Sequence, residues 1–124
     1  MKKILIVDDD RDLSELTQSV LGRAGYEVII SHDSSTGIDM AKKQKPNLIL
    51  MDVMLPGMNG AEVVKLLKAD PILKDVPVIF FTALLSEADQ HNADGIRVDG
   101  KNYTAIAKPY EIKDLLEKIK KILV

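Results

Sequence analysis

The sequence of 124 residues predicts an α/β fold. The expected architecture is a doubly wound five-stranded parallel sheet in the order 2-1-3-4-5, with helices on both faces. Short runs that are apolar throughout, typical of strands buried on both sides, alternate with segments of helical periodicity. Right-handed crossovers leave few ways to wind five such strands, and 2-1-3-4-5 is one of the common orders. No linker-like stretch divides the chain, so residues 1–124 are expected to form one domain.

The predicted elements follow one another with short connections. The first strand is predicted at Lys3–Val7 and the first helix at Arg11–Arg23, with Asp10 and Asp12 as capping residues rather than metal ligands. The next four elements are a strand at Glu27–Ser31, a helix at Ser34–Lys43, a strand at Leu48–Met51 and a helix at Ala61–Lys68 capped by Asn59. The remaining regular elements are strands at Pro77–Phe81 and Tyr103–Ala107 and an amphipathic helix at Tyr110–Leu123.

The stretch between the fourth and fifth strands departs from simple alternation. It contains "IRV", "DG" and "KNY" in succession, and Asp99-Gly100 is a favoured two-residue turn between extended runs. We therefore predict a hairpin or irregular loop near residues 95–103, with only a short helix before it.

Composition excludes several classes of function. The net charge of −2, from 17 basic and 19 acidic residues, provides no general basic field for nucleic acid, although a small basic patch would still be compatible with such binding. The absence of cysteine excludes disulfides, thiolate zinc sites and cysteine nucleophiles. The apolar run near the start is too short for a signal peptide, and no stretch is apolar enough to span a membrane. A cytoplasmic protein is therefore expected.

Polar side chains stand at the carboxyl ends of four predicted strands. Asp8 and Asp9 follow the first strand, Asp52 the third, Thr82 the fourth and Lys108 the fifth. In the predicted order these ends meet at one edge of the sheet, near the switch point between strands 1 and 3. Two carboxylates about 4 Å apart repel by roughly 4 kcal/mol at an effective dielectric constant of about 20. The cluster therefore indicates a hard divalent cation, which oxygen ligands suit.

The same groups also suit phosphoryl chemistry. A carboxylate can attack a phosphoryl group and form an acyl phosphate. A lysine ammonium provides a compact positive charge beside phosphate, and a threonine hydroxyl can donate a hydrogen bond to a phosphoryl oxygen. The strand ends together indicate a site for a metal ion and a phosphoryl group.

Four segments of the chain resemble a known family. "ILIVDDD", "LILMDVMLPGMNG", "VIFFTA" and "AIAKPY" are similar to the signature segments of bacterial response-regulator receiver domains, in the same order and over almost the whole chain. The resemblance implies a flavodoxin-like, chemotaxis-protein-like fold. It also implies that Asp52 accepts a phosphoryl group from a histidine kinase or a histidine phosphotransfer protein.

The resemblance further implies the ligands of the ion and the residues around the phosphoryl group. Mg²⁺, with Mn²⁺ as the alternative ion, is expected on Asp8, Asp9, Asp52 and the backbone carbonyl of Met54, with Asp9 the more direct ligand of the first two. Thr82 and Lys108 stand at the family's Thr/Ser and lysine positions.

The resemblance also implies a signalling role and a set of partners. The phosphorylated surface is expected to bind a downstream protein target or a fused output domain, without direct contact to nucleic acid or membrane. The domain assists its own phosphorylation and dephosphorylation but turns over no external substrate, so it is not expected to be an enzyme.

The switch region departs from the family pattern. The family usually has Tyr or Phe three residues before the lysine, where this chain has Ala105. The aromatic residue nearest to that position is Tyr103, two residues before it. Thr82 and Lys108 are also about four residues further apart than the family pattern leads us to expect. The usual coupling between threonine and aromatic residue is therefore in doubt.

Three other functions are weaker alternatives. "VDDDRD" also resembles the start of haloacid-dehalogenase-type phosphatases, in which Asp8 would be the nucleophile, although Asp12 replaces the usual Thr or Val. A flavin mononucleotide binder lacks support, because no Ser/Thr/Gly-rich phosphate loop follows the first strand. A receiver that is never phosphorylated is the third alternative. His32 and His91 are interpreted as surface residues outside the site.

Overall fold

A computed structural model of the protein describes residues 1–82, 96–98, 100–108 and 110–123. The strands of this part of the chain are β1 (Lys3–Val7), β2 (Glu27–Ser31), β3 (Leu48–Asp52), β4 (Val78–Thr82), β5 (Ile96–Val98) and β6 (Lys101–Ala107). The helices are α1 (Arg11–Arg23), α2 (Ser34–Gln44), α3 (Gly60–Lys68) and α4 (Ile112–Ile122).

The strands form one sheet in the order β2-β1-β3-β4-β6-β5. The first five strands of this order are mutually parallel, which confirms the predicted five-stranded parallel sheet. β5 adds a short antiparallel strand at the edge, beyond β6. The parallel arrangement brings the carboxyl ends of β1, β3, β4 and β6 to the same edge of the sheet.

Helices cover both faces of the sheet, as the apolar strands predict. Because successive side chains of a strand point to opposite faces, Leu5 and Val7 lie in one core cluster and Ile4 and Ile6 in the other. The first cluster includes buried residues of α2 and α3, and the second includes buried residues of α1 and α4. Strands buried on both sides explain why their sequences show no polar alternation.

Helices α1 and α3 begin at the predicted caps Asp10 and Asn59, whereas Asp12 lies within the first turn of α1. Asp10 Oδ1 accepts a hydrogen bond of 3.1 Å from the backbone N–H of Leu13, and Asn59 Oδ1 accepts one of 2.9 Å from Glu62. Each cap satisfies an amide that has no partner within the helix. Predicted and observed ends differ by one or two residues at most elements, the usual extent of disagreement about where an element stops.

The predicted hairpin is present. β5 and β6 pair with Val98 opposite Lys101, which leaves a two-residue connection whose second residue, Gly100, has a φ of +80°. This pairing also explains why β6 starts at Lys101, two residues before the predicted start. The extended residues Ile96–Val98 exclude a helix through this region, whereas the short helix predicted before the hairpin lies outside the described residues.

Within the described part of the chain, we find no helix with the length and apolar character needed to cross a bilayer.

Candidate functional site

The strand register brings the predicted acids together. Val7 of β1 lies opposite Met51 of β3, so the residues that follow them, Asp8 and Asp52, are neighbours. Asp8, Asp9 and Asp52 each offer one carboxylate oxygen, and these oxygens all lie within 4.8 Å of one another. The sequence-predicted acid cluster is therefore a single group of side chains at the carboxyl edge of the sheet.

The acids differ in their exposure to water. The exposed fraction is 1% for Asp8 and 6% for Asp52, whereas Asp9 is exposed. Burial raises the pKa of the Asp8 carboxyl, and the nearby charge of Asp52 acts in the same direction. Hydrogen bonds from Lys108 and from the backbone N–H of Asp10 oppose this rise without cancelling it. Asp8 is therefore a carboxylate whose negative charge is costly unless a cation is close by.

Lys108 supplies one such cation. Its Nζ lies 2.7 Å from Asp8 Oδ2 and 3.0 Å from Asp52 Oδ2, so one ammonium bridges the two buried carboxylates. Burial alone would lower the pKa of Lys108, but the hydrogen bonds to Asp8 and Asp52 and the charges of these two acids outweigh it and raise the pKa. With Asp9 beside them, three carboxylates face one ammonium, which leaves an excess of negative charge for a divalent cation to balance.

Asp8 and Asp52 are oriented in the same way. Oδ1 of Asp8 accepts a hydrogen bond of 3.0 Å from the backbone N–H of Asp10, and Oδ1 of Asp52 accepts one of 3.1 Å from Met54. In each case the donor is two residues further along the chain, and Oδ2 faces Lys108. Each carboxylate is therefore fixed at both oxygens, and each oxygen keeps a second lone pair for a further ligand.

The loop after Asp52 is held by contacts that the sequence reasoning missed. A Cβ on Gly60 would lie 2.4 Å from the carbonyl oxygen of Asp52, so only glycine permits this approach of α3 to β3. Ser34, at the start of α2, donates to the carbonyl of Pro56 (3.1 Å) and accepts from the N–H of Met58 (3.0 Å). The glycine that follows the cap residue in "GMNG" was the available signal for the first contact.

His32 contacts the site, so its interpretation as a surface residue outside the site is wrong. The side chain is half-buried, and Nδ1 lies 2.9 Å from the backbone carbonyl oxygen of Asp8, to which it donates. His32 directly follows β2, whose carboxyl end lies at the same edge as that of β1. Its position one residue after a strand was the signal that could have identified it. His91 lies outside the described residues.

The structure separates the residues of the expected switch region. Thr82 ends β4 opposite Ala107, although its side chain lies outside the described part of the molecule. Tyr103 is buried against the edge of the Phe80 ring, with centroids 5.7 Å apart. Its position five residues before Lys108 places it about 16 Å from that residue along the strand. Ala105 pairs with Phe80 and brings no aromatic ring to the site.

Tyr110 is the aromatic residue closest in sequence to Lys108, and sequence reasoning assigned it no role. Its ring stacks on Phe81 at 4.7 Å between centroids, and its hydroxyl lies 2.9 Å from the hydroxyl of Thr17 in α1. Burial raises the pKa of Tyr110, and the hydrogen bond with Thr17 opposes that rise. The segment that carries Lys108 is thereby joined to both β4 and α1.

Comparison with known proteins gives a consistent family. A profile described as the response regulator receiver domain matches residues 4–120. The chain is 35% identical over 122 residues to the phosphate regulon transcriptional regulatory protein PhoB of Pseudomonas aeruginosa, covering 98% of this chain and 52% of that protein. It is also 35% identical over 122 residues to the polar-differentiation response regulator DivK of Brucella anthropi, covering 98% and 96%.

Solved structures are similar over the whole fold. The chemotaxis response regulator CheY4 of Vibrio cholerae superposes with a TM-score of 0.83 at 26% identity, covering 98% of each chain. A CheY-like response regulator receiver domain protein from Methanospirillum hungatei superposes with a TM-score of 0.80 at 34% identity, covering 99% of this chain and 94% of that one. The chain thus spans nearly all of these proteins and of DivK, but about half the length of PhoB.

Proposed function

We propose, from the premise that the chain belongs to the response regulator receiver domain family, that Asp52 accepts a phosphoryl group in a two-component signalling system. The proposal rests on one observation. The buried carboxylates of Asp8 and Asp52 both contact the ammonium of Lys108. This arrangement fixes Asp52 with one face toward a cation and keeps its carboxylate ready to act as a nucleophile.

The residues at this edge fit Mg²⁺. Three carboxylate oxygens within 4.8 Å of one another form a hard, all-oxygen donor set of the kind that Mg²⁺ binds together with waters and phosphate oxygens. We propose that Asp8, Asp9, Asp52 and the backbone carbonyl of Met54 would hold the ion. When bound, it would offset the negative charge of the phosphoryl oxygens.

The proposed reaction is transfer from a phosphohistidine of a histidine kinase or a histidine phosphotransfer protein. A carboxylate oxygen of Asp52 attacks phosphorus, an O–P bond forms, and the P–N bond to the imidazole breaks, so that the electron pair leaves with the nitrogen. Lys108 lies 3.0 Å from Asp52 Oδ2 and would follow the new negative charge. We propose that the Thr82 hydroxyl donates to a phosphoryl oxygen from the neighbouring strand.

The proposed output is a change in the surface that partners recognise. If Lys108 moves toward the phosphoryl group, its hold on Asp8 weakens, and the segment tied to Phe81 and Thr17 through Tyr110 is displaced. The partner would be a downstream protein target or a fused output domain, and the chain itself would neither contact nucleic acid nor turn over an external substrate.

Labelling with acetyl phosphate tests the proposal. Incubation with Mg²⁺ should add the mass of one phosphoryl group to the intact protein and none to Asp52→Asn, while Asp39→Asn, a matched exposed carboxylate on α2, should label normally. Chelation of Mg²⁺ should suppress labelling. Peptide mapping separates this proposal from the phosphatase alternative, because a label on Asp8 would contradict the role of Asp52.

A further inference from the structure

A cavity lined by charged residues lies near the amino ends of β4 and β6, at the opposite end of the strands from the acid cluster. It has a volume of about 290 Å³, opens to solvent, and is lined by α3, the segment before β4 and the β5–β6 hairpin. Among its described lining residues, Asp75 is the one carboxylate. Four others are lysines: Lys65, Lys68, Lys74 and Lys101. We call this cavity, defined by these four lysines with Asp75 and Tyr103, the lysine groove.

Two of the ammonium groups are held by neutral partners. Lys68 Nζ donates to the backbone carbonyl of Val76 and lies 5.9 Å from the centroid of the Tyr103 ring. Lys101 Nζ lies 5.5 Å from the same centroid. The ring is itself fixed by its edge contact with Phe80. Two cations are thus positioned on one aromatic ring by interactions that do not cancel their charge.

This placement is electrostatically unfavourable for Lys68. Lys68 is half-buried, and burial together with the nearby charge of Lys101 lowers its pKa, although Asp75 acts in the opposite direction. The carbonyl of Val76 uses one of the three N–H donors of Lys68, so two donors can still reach a ligand. Cations gathered in a concave site in this way favour an anion that would bridge them, just as the acids at the other edge favour a cation.

We propose that the lysine groove binds a small molecule that carries two or more linked phosphate groups. Lysine acts as a compact point charge for phosphate, whereas planar carboxylates are matched best by arginine, and no arginine is among the described lining residues. The volume of about 290 Å³ lies just below the range of roughly 300–1,000 Å³ for small-molecule sites. An adjoining cavity of about 250 Å³ shares Lys68 and Lys101, so a chain of phosphates or a nucleotide could extend into it.

Calorimetry on the whole chain tests this site separately from the acids. Inorganic tripolyphosphate and ADP are titrated in the presence of a chelator, so that metal at Asp52 plays no part. We expect saturable binding that Lys68→Gln and Lys101→Gln each weaken about tenfold, the effect of losing one charge-assisted hydrogen bond. Lys118→Gln, an exposed lysine on α4, and Asp52→Asn should bind like the wild type.

The two probes distinguish the sources of the phosphate. Equal affinities for tripolyphosphate and ADP would support recognition of phosphate alone, and tighter binding of ADP would support a nucleotide. Absence of saturable binding at millimolar concentrations of both probes would overturn the proposal. An equal loss in Lys118→Gln would also overturn it, because the attraction would then be a diffuse surface effect. Since Asp52 labelling is measured independently, either proposal can fail without the other.

Discussion

The two ends of the parallel strands carry opposite charge and hold it in different ways. At the carboxyl end, the buried Asp8 and Asp52 share the ammonium of Lys108 at 2.7 and 3.0 Å. At the amino end, Lys101 is exposed and Lys68 half-buried, and a carbonyl and an aromatic ring hold them. Charges removed from water depend strongly on their partners, whereas charges at the surface are screened.

This difference indicates where the stability of the fold and the proposed chemistry depend on the same charges. Removal of the Lys108 ammonium leaves the buried carboxylates of Asp8 and Asp52 without a cation to offset their desolvation, so stability and phosphorylation should change together. Removal of one charge at the amino end should change ligand binding with little effect on folding. Four substitutions test this contrast, in order of decreasing expected effect on stability.

Lys108→Met should give the largest loss. It leaves Asp8 and Asp52 without their shared cation, and breaking a buried pair in this way costs about 3 kcal/mol or more. Urea denaturation at neutral pH in a chelator measures the change in free energy of unfolding. Mg²⁺ should recover part of the loss, because it would neutralise the same acids.

The matched control for this substitution is Lys118→Met on α4, an exposed lysine for which the change should stay within about 0.5 kcal/mol. Equal stability of Lys108→Met and Lys118→Met would show that the carboxyl end is solvated like the surface. That result would remove the contrast between the two ends.

Gly60→Ala tests whether the carboxyl end also depends on close backbone packing. The added Cβ would lie 2.4 Å from the Asp52 carbonyl oxygen, so β3 and α3 must separate, at a cost of about 2 kcal/mol. Labelling of Asp52 by acetyl phosphate should slow as well. Gly22→Ala in α1 is the control, because nothing lies within 4 Å of its Cβ and the substitution should stabilise the helix by roughly 0.5–1 kcal/mol. Similar melting temperatures for both variants would contradict the packing argument.

Much of the carboxyl end could be predicted from the sequence because strand ends are set by chain pattern. An apolar run that stops at an acid fixes both the strand and the edge on which the acid lies, as at Asp8 and Asp52. The position of Lys108 followed from the same pattern. The turn "DG" likewise predicted the hairpin, because few residues tolerate the positive φ that Gly100 adopts.

The contacts that were missed depend on side-chain direction and loop path, which sequence pattern does not determine. The bond from His32 to the Asp8 carbonyl requires the turn after β2 to point back over β1. The pair formed by Tyr110 and Thr17 joins residues 93 positions apart through one rotamer of each. Tyr103 could be identified from the sequence as the aromatic residue nearest the switch position. The direction of its ring, which lies near Lys101 in a strand paired with β5, could not be predicted.

Asp8→Asn tests the sign of the charge effect at the carboxyl end. Burial raises the pKa of Asp8 above its ordinary value of 3.8, so the folded state holds this proton more tightly than the unfolded state. Stability from such a group is present below the unfolded pKa and is lost as pH rises through the folded pKa. Without metal at neutral pH, Asp8→Asn should therefore be more stable than the wild type and melt at a higher temperature.

The pH profile provides the control for this prediction. The advantage of Asp8→Asn should shrink as pH falls toward 3.8, where the wild-type carboxyl also becomes neutral. Mg²⁺ should stabilise the wild type and leave the variant nearly unchanged. A variant that is less stable than the wild type at neutral pH in a chelator would show that the bond to Lys108 outweighs burial.

Lys101→Gln should have the smallest effect on folding and so completes the contrast. The side chain is exposed, and its loss from the Tyr103 ring costs about 0.5 kcal/mol. That loss is offset because Lys68 no longer faces a second cation, so the free energy of unfolding should stay within about 0.5 kcal/mol of the wild type. The pKa of Lys68, followed by NMR titration, should rise but remain below its ordinary value, because burial persists. A large loss of stability with an unchanged pKa of Lys68 would mean that the amino end, like the carboxyl end, is part of the folding core, and that its lysines are structural.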